Sequence, residues 1–461
     1  MSGPLHGVRV LDLTTVVMGP YATQILGDFG ADVIKVEPPE GDVMRYAWPF
    51  RNTGMGAIFL GVNRNKRSIV LDLKKDAARL ARARQASRAD VLVYNIRPQA
   101  MARLRLSYDE VRNVNPRIIY AGCFGYSQRG PYAAKAAYDD LIQGAAGLPW
   151  LLRKQGAETP RYAPIIVADR SVGQQVASAV SAALYYREKS GKGQRVDVPM
   201  FEHLLQIVLG DHLGGYTFDP QHGEPGYARI LTPDRRPYQT SDGYVCALIY
   251  NDKQWKAFFD VIGKPEMLAR PEFATQEARS QNYRTAYAMI AEEMKLRTTA
   301  FWLEALEKGD IPVQRMNSLD DIVNDPHLNA IGYLQLVDHP SEGRIRMLAV
   351  LRAHPDPGPA SLPDQGRLRL RADLQRQAVE GVLRHHRQAR DARAAGVRHP
   401  GSAQQELRRR LRHDRRGDEK PHHAVLARCA RARRHPGAAH ELAGRHRERP
   451  ALERDRLPAG S

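Results

Sequence analysis

Cysteine is scarce in this 461-residue chain: Cys123, Cys246 and Cys429 stand far apart, odd in number and with no Cys-x-x-Cys pair. That argues against a disulfide framework or a zinc site and suits a reducing compartment. Long apolar runs are missing as well. No stretch approaches a membrane span, and Arg9 and Asp12 interrupt the first twenty residues where a signal peptide needs an unbroken apolar core. A soluble, cytoplasmic protein without a membrane partner is expected. The Gly-x-Gly-x-x-Gly dinucleotide fingerprint is absent too, because Gly27 and Gly30 are otherwise spaced. No ligand spacing points to a metal.

Aromatic residues vanish from the last 110 positions. Residues 352–461 contain no Phe, Tyr, Trp, Ile, Met, Asn or Thr, yet hold ten of the sixteen histidines. They carry 25 Arg and one Lys against 13 Asp plus Glu, so +13 of the chain's net charge of +18 lies there and +5 upstream. A basic tail without aromatics can meet phosphates but offers no stacking platform for bases. A nucleic-acid-binding protein acting through this tail is therefore the remote alternative, and no nucleic-acid partner is expected. A GC-rich gene read in a shifted frame yields this same Arg, Ala, Gly, Pro, Leu and His composition. Residues from about 352 onward are expected to be foreign to the fold, the rival being a genuine disordered tail. Short helices are favoured around Leu374 to Arg390 and Gln404 to Arg412.

What is present upstream is an alternation of strands and helices. Strands are expected at Val8 to Leu13, Ala31 to Glu37, Arg67 to Leu73, Asp90 to Asn95 and Arg117 to Cys123. Between them, Gly19-Pro20 opens a helix, Asp76 to Ser87 forms another, and Arg97-Pro98 begins one carrying Arg103. The first strand, helix and strand make a βαβ unit, which implies a parallel sheet. Open sheets of this kind bind ligands beyond their strand C-termini. Further on, helices are expected at Phe201 to Gly214, Asn251 to Val261, Gln281 to Leu296 and Thr299 to Glu307. A short strand follows Pro237 and an extended piece begins at Ile311.

The stretch 162–200 is the centre of the chain. An apolar run, Ile165 to Ala168, reads as a strand or extended segment that delivers Asp169 to the mouth of a helix from about Ser171 to Lys189. Gly191 and Gly193 stop that helix, and Arg195 to Val198 resume as a strand. Asp169 then sits where backbone N–H groups stabilise negative charge. On local pattern alone it is an N-cap.

Ala168-Asp169-x-x-x-Gly173, the helix end Ala-Ala-Leu-Tyr-Tyr-Arg-Glu-Lys, and Ser-Gly-Lys-Gly-Gln-Arg-Val-Asp-Val resemble the class III CoA-transferases (formyl-CoA and carnitine CoA-transferase-like). So do Asp12-Leu13-Thr14, Gly19-Pro20, Gly30 to Glu37, and the closing motifs Asp325-Pro326-His327-Leu328 and Asp338-His339-Pro340. The likeness runs to about Val350-Leu351. It implies an α/β fold: a parallel-sheet, Rossmann-like large domain over 1–215 that binds CoA, a smaller α+β lid domain over 216–335, and a return segment beginning at 336–351. It also implies interlocked homodimers. The family's glycine-rich lid loop has no counterpart here.

The resemblance gives Asp169 the role of nucleophile. It attacks an acyl-CoA, and CoA passes to a carboxylic-acid acceptor through an aspartyl-CoA thioester, with CoA as substrate and no resident cofactor. CoA contacts are implied at Thr15, Val17, Met18, Leu71, Asn95, Ile96, Arg97, Arg103 and Lys135. Arg97, Arg103 and Lys135 would suit the CoA phosphates, although surface arginines in so basic a chain are ordinarily solvated. The alternative within the fold is an α-methylacyl-CoA racemase, which needs an acid and a base on opposite faces of the α-carbon. That family's His-Asp is Tyr138-Asp139 here.

Overall fold

The computed structural model describes residues 3–73, 75 and 86–350. Six strands, β1 (Arg9–Leu13), β2 (Asp32–Glu37), β3 (Lys66–Val70), β4 (Val91–Tyr94), β5 (Ile119–Phe124) and β6 (Gln194–Pro199), form one sheet. All neighbours are parallel, in the order β3-β2-β1-β4-β5-β6. β4 and β5 are buried at every residue, as central parallel strands covered on both faces must be. Successive residues feed opposite faces. Val10, Val33, Val91 and Ile119 enter one apolar cluster, whereas Leu11, Ile34, Leu92 and Tyr120 enter the other.

Helix α1 (Met18–Asp28) and the long helix Val167–Ser190 cover the first of those faces through Ala22, Leu26, Val172, Val176 and Val180. They cross at Gly173, where a Cβ would lie 2.8 Å from the Met18 carbonyl oxygen. Gly191, with φ at +71°, ends the long helix in the left-handed cap for which glycine is suited. The expected strand at Ile165 to Ala168 does not form. Val167 already begins the helix and Arg170 N–H bonds back to the Ile166 carbonyl. Ala168 is fully buried, so packing of the first turn against the sheet outweighs the β-preference of the two isoleucines.

A third apolar cluster gathers residues Tyr238 to Val313 around Trp255, Phe258, Phe259, Phe273 and Trp302. Its sheet is antiparallel: Tyr238–Gln239, Tyr244–Ala247 and Val313–Arg315. Asn251 caps the helix Asp252–Val261 in a full capping box with Gln254. The helix expected over Gln281 to Leu296 forms as Tyr283–Met294, and a separate short helix, Gln276–Gln281, precedes it. The hairpin Leu334–His339 and Gly343–Leu348 then returns to the first unit. Asn52 Nδ2 donates to the Ser341 carbonyl at 2.7 Å and Arg64 to the Leu348 carbonyl at 2.6 Å. Of the expected helix Asp76 to Ser87, residues 76–85 lie outside the described residues, as does everything expected of 352–461.

Candidate active site

The sheet order reverses between β1 and β4, and the loop leaving β1 crosses that switch point. Asn95, just past β4, pins it. The Asn95 side chain accepts from Thr15 N–H at 3.1 Å and donates to the Thr15 carbonyl at 2.9 Å. Val16 follows with φ at +72°, a strained conformation for a β-branched residue, costing roughly 1–2 kcal/mol. Buried groups hold it there. Val16 N–H donates to Asp42 Oδ1 at 3.2 Å, while Lys35, 1 % exposed, donates to the Thr14 carbonyl at 2.8 Å and to Asp42 at 2.9 Å. Deeper still, Asp12 accepts from Lys66 at 3.0 Å and from Thr14 and Thr23. Burial would raise the Asp12 carboxyl, but Lys66, then Lys35 and the two hydroxyls hold it down to about 2.

This support fixes the start of α1, whose N-cap, Val17, has no side chain to satisfy the first-turn amides. Asp169 meets α1 there. It is the third residue of the long helix rather than its N-cap, which is Ile166, so the capping expectation is corrected. The residue is only 8 % exposed. Burial first, and then the charge of Asp139, push its carboxyl up to about 6, while the Met18 backbone amide and Arg170 pull the other way. At neutral pH it is ionised by roughly ten to one, yet poorly solvated. Such a group can serve as a nucleophile or as a base.

Asp139, buried at the start of the helix Asp139–Ala145, is the residue that sequence reasoning left without a role. One of its oxygens accepts the Asp169 N–H at 2.9 Å and the other accepts from Gln143 Nε2 at 2.5 Å. Gln143 in turn accepts from Ala163 N–H at 2.9 Å. The pair ties the loop before the long helix to this second carboxylate. An Asp followed four residues later by Gln on one helix face was the available signal.

Of the other sequence-derived residues, Thr15, Val17 and Met18 share the loop and first turn beside Asp169, with Val17 and Met18 buried. Asn95 and Ile96 flank that loop at the end of β4, and Leu71 lies at the same edge past β3, its N–H bonded to the Glu37 carbonyl at 2.9 Å. Arg97 precedes the helix Pro98–Arg103 and Arg103 ends it. Both are exposed, and neither side chain has an ion-pair partner among the described residues. Lys135 is exposed with its ammonium 3.4 Å from the Tyr132 ring centroid. No described contact joins Leu71, Arg97, Arg103 or Lys135 to Asp169. Among the described residues no His, Cys, Asp or Glu cluster could hold a metal, and no helix is long and apolar enough to cross a membrane.

The model of CoA-transferase family III matches residues 5–366, sixteen residues further than the motifs alone carry the likeness. Acetyl-CoA:oxalate CoA-transferase of Acetobacter aceti is 32% identical over 383 residues, covering 79% of this chain and 94% of that protein. Succinate–glutarate CoA-transferase of Agrobacterium fabrum is 33% identical over 339 residues, covering 71% and 84%. The crystal structure of a CAIB/BAIF family protein from Brucella suis matches with a TM-score of 0.65 at 29% identity, covering 81% of this chain and 100% of that one. The chain belongs to CoA-transferase family III.

Proposed function

We propose that this CoA-transferase moves CoA between carboxylic acids through a covalent intermediate on Asp169. The observation that carries the reading is a buried, ionised carboxylate in the first turn of a helix, set against the uncapped start of α1. An Asp169 oxygen attacks the acyl-CoA carbonyl, the C–S bond breaks, and CoA leaves as thiolate, giving a mixed anhydride. The thiolate attacks the aspartyl carbonyl, releasing the donor carboxylate and leaving an aspartyl-CoA thioester. An acceptor carboxylate then reverses both steps. Splitting one difficult transfer into two easier ones is the benefit of covalent catalysis. The Met18 amide is the oxyanion donor best supported by position. Loss of solvation leaves the carboxylate more reactive than it would be in water.

The Rossmann-like expectation is supported by the strand order, which is that of doubly wound dinucleotide-binding sheets. CoA is placed along the C-terminal edge of that sheet, over Thr15 to Met18, Leu71, Asn95 and Ile96. Arg97, Arg103 and Lys135 take its phosphates, a role that suits cations left without an acidic partner. Residues 216–335 act as the lid. An interlocked homodimer is favoured by exposed apolar side chains along one stretch, Tyr185, Tyr186, Ile207, Leu209, Tyr216 and Phe218. A cytoplasmic setting fits the scarcity of cysteine.

The test is Asp169→Ala with an acyl-CoA donor and oxalate, succinate or glutarate as acceptor. Transfer is expected to disappear while acyl-CoA still binds. Transfer near the normal rate would remove Asp169 from the chemistry.

A further inference from the structure

A chain of buried charges lies behind the loop leaving β1, and no step of the transfer chemistry draws on it. Lys35 and Glu37, two residues apart on β2, share one face of the strand. Asp42 joins them: its Oδ2 accepts from Lys35 Nζ at 2.9 Å, and its backbone N–H donates to Glu37 Oε2 at 3.0 Å. Glu37 in turn accepts the fork of Arg45, at 2.7 Å from Nε and 2.6 Å from Nη2, and the Ser68 hydroxyl at 2.5 Å. The Arg45 guanidinium rests 4.0 Å from the Phe59 ring centroid. Lys35, Glu37 and Asp42 are each at most 1 % exposed. Taking ions this far out of water is strongly unfavourable, and apolar residues of similar size often stabilise a core as well. Stability alone therefore does not account for the network.

What the network grips is one short stretch of backbone. Lys35 Nζ donates to the Thr14 carbonyl at 2.8 Å, and Asp42 Oδ1 accepts the Val16 N–H at 3.2 Å. At that point the chain takes a φ of +72°, in the region a β-branched residue avoids. Two residues on, the Met18 N–H is hydrogen-bonded to the Asp169 carboxylate. The Met18 carbonyl faces Gly173 of the long helix, where a Cβ would come within 2.8 Å of its oxygen. Gly19 lies against Thr14, where a Cβ would meet the Thr14 side chain at 2.4 Å. The turn is closed on itself, so the φ of Val16 decides where the Met18 amide points.

We propose that Lys35 and Asp42 are positioning residues for CoA transfer, a clamp that holds Val16 in its left-handed conformation so that the Met18 amide is aimed at Asp169. The proposal rests on the reading of Asp169 as the nucleophile. No described contact joins Lys35 or Asp42 to Asp169, and both act through the loop. Released from the clamp, Val16 returns to negative φ, which an L-residue favours by about five- to thirtyfold, and the Met18 N–H turns away. Glycine populates both signs of φ about equally. At position 16 it keeps the working conformation accessible without the clamp.

The rate and pH profile of CoA transfer by the full chain test this, in Asp42→Ala alone, in Asp42→Ala combined with Val16→Gly or with Val16→Ala, and in Asp169→Ala. Asp42→Ala should lower kcat roughly five- to thirtyfold, the population lost when Val16 is no longer held. The groups facing the Asp169 carboxyl are Asp139, Arg170 and the Met18 amide. Loss of the amide moves the acid limb of kcat/KM up in pH, whereas removing the Asp42 charge alone would move it down. Val16→Gly should restore most of the rate and return the limb. Val16→Ala should restore little, since alanine also disfavours the left-handed region. If Asp42→Ala fails to fold, Lys35→Met with Asp42→Leu removes both charges together and carries the same comparison. An unchanged kcat, an unmoved limb, or glycine rescuing no better than alanine overturns the clamp, with Asp169→Ala still inactive. Transfer surviving in Asp169→Ala overturns the reading beneath it and the clamp as well.

Discussion

Replacing Asp169 with Asn is expected to make the folded protein more stable at neutral pH. Burial, reinforced by Asp139, raises the Asp169 carboxyl from 3.8 to about 6. Between those two values the folded chain holds a proton that the unfolded chain has released. Stability is thus fullest below the lower value, falls as pH rises toward about 6, and stays reduced above it. A difference of about 2 units corresponds to about 3 kcal/mol at roughly 1.4 kcal/mol per unit. Asn keeps the shape without the charge and offers an N–H₂ toward Asp139, while the Met18 amide loses a charged acceptor. A net gain of about 2–3 kcal/mol follows. Spread over the unfolding entropy of a unit of about 350 residues, that is a rise of ~3–4 °C in Tm at pH 7.5. Thermal melts of the two proteins should show this difference shrinking to about half by pH 5. Equal melting at pH 7.5, or a difference that ignores pH, would refute the view of Asp169 as a charge held at a cost to the fold.

Two further outcomes bear on the same site. Asp139→Asn removes the charge facing Asp169 while preserving an acceptor for its N–H, so the acid limb of kcat/KM should move down by roughly 0.5–1 pH unit. An unmoved limb with lowered activity would mean that Asp139 acts by shape alone. Arg103→Ala should weaken CoA by about 1.5–3 kcal/mol, or roughly ten- to a hundredfold, in titrations at fixed salt. Unchanged affinity would take Arg103 out of the binding surface.

The sheet was legible because its central strands are continuous apolar runs, and Val91 to Tyr94 and Ile119 to Phe124 lie where that pattern puts them. Asp169 was legible through its neighbours rather than its own spacing. Read locally, Asp followed by Arg-Ser looks like a cap. The helix in fact starts at Val167, four residues before the expected Ser171, because Ala168 is driven into the core. Short helices with weak periodicity escaped, among them Tyr108–Val114, although Ser107 and Glu110 form a capping box at its start. The role of Asp139 escaped because it depends on a contact thirty residues away, with the Asp169 N–H. The strain at Val16 was likewise invisible, since it is imposed by Asn95, just past β4, and by Asp42, in the loop beyond β2.

The most direct measurement of the central claim is mass spectrometry of the protein after brief incubation with an acyl-CoA and no acceptor, followed by acid quench and digestion. The account predicts a CoA adduct on the peptide containing Asp169, removed by adding the acceptor acid and absent from Asp169→Ala. An adduct on another residue, or rapid transfer with no adduct formed at any time, would contradict it.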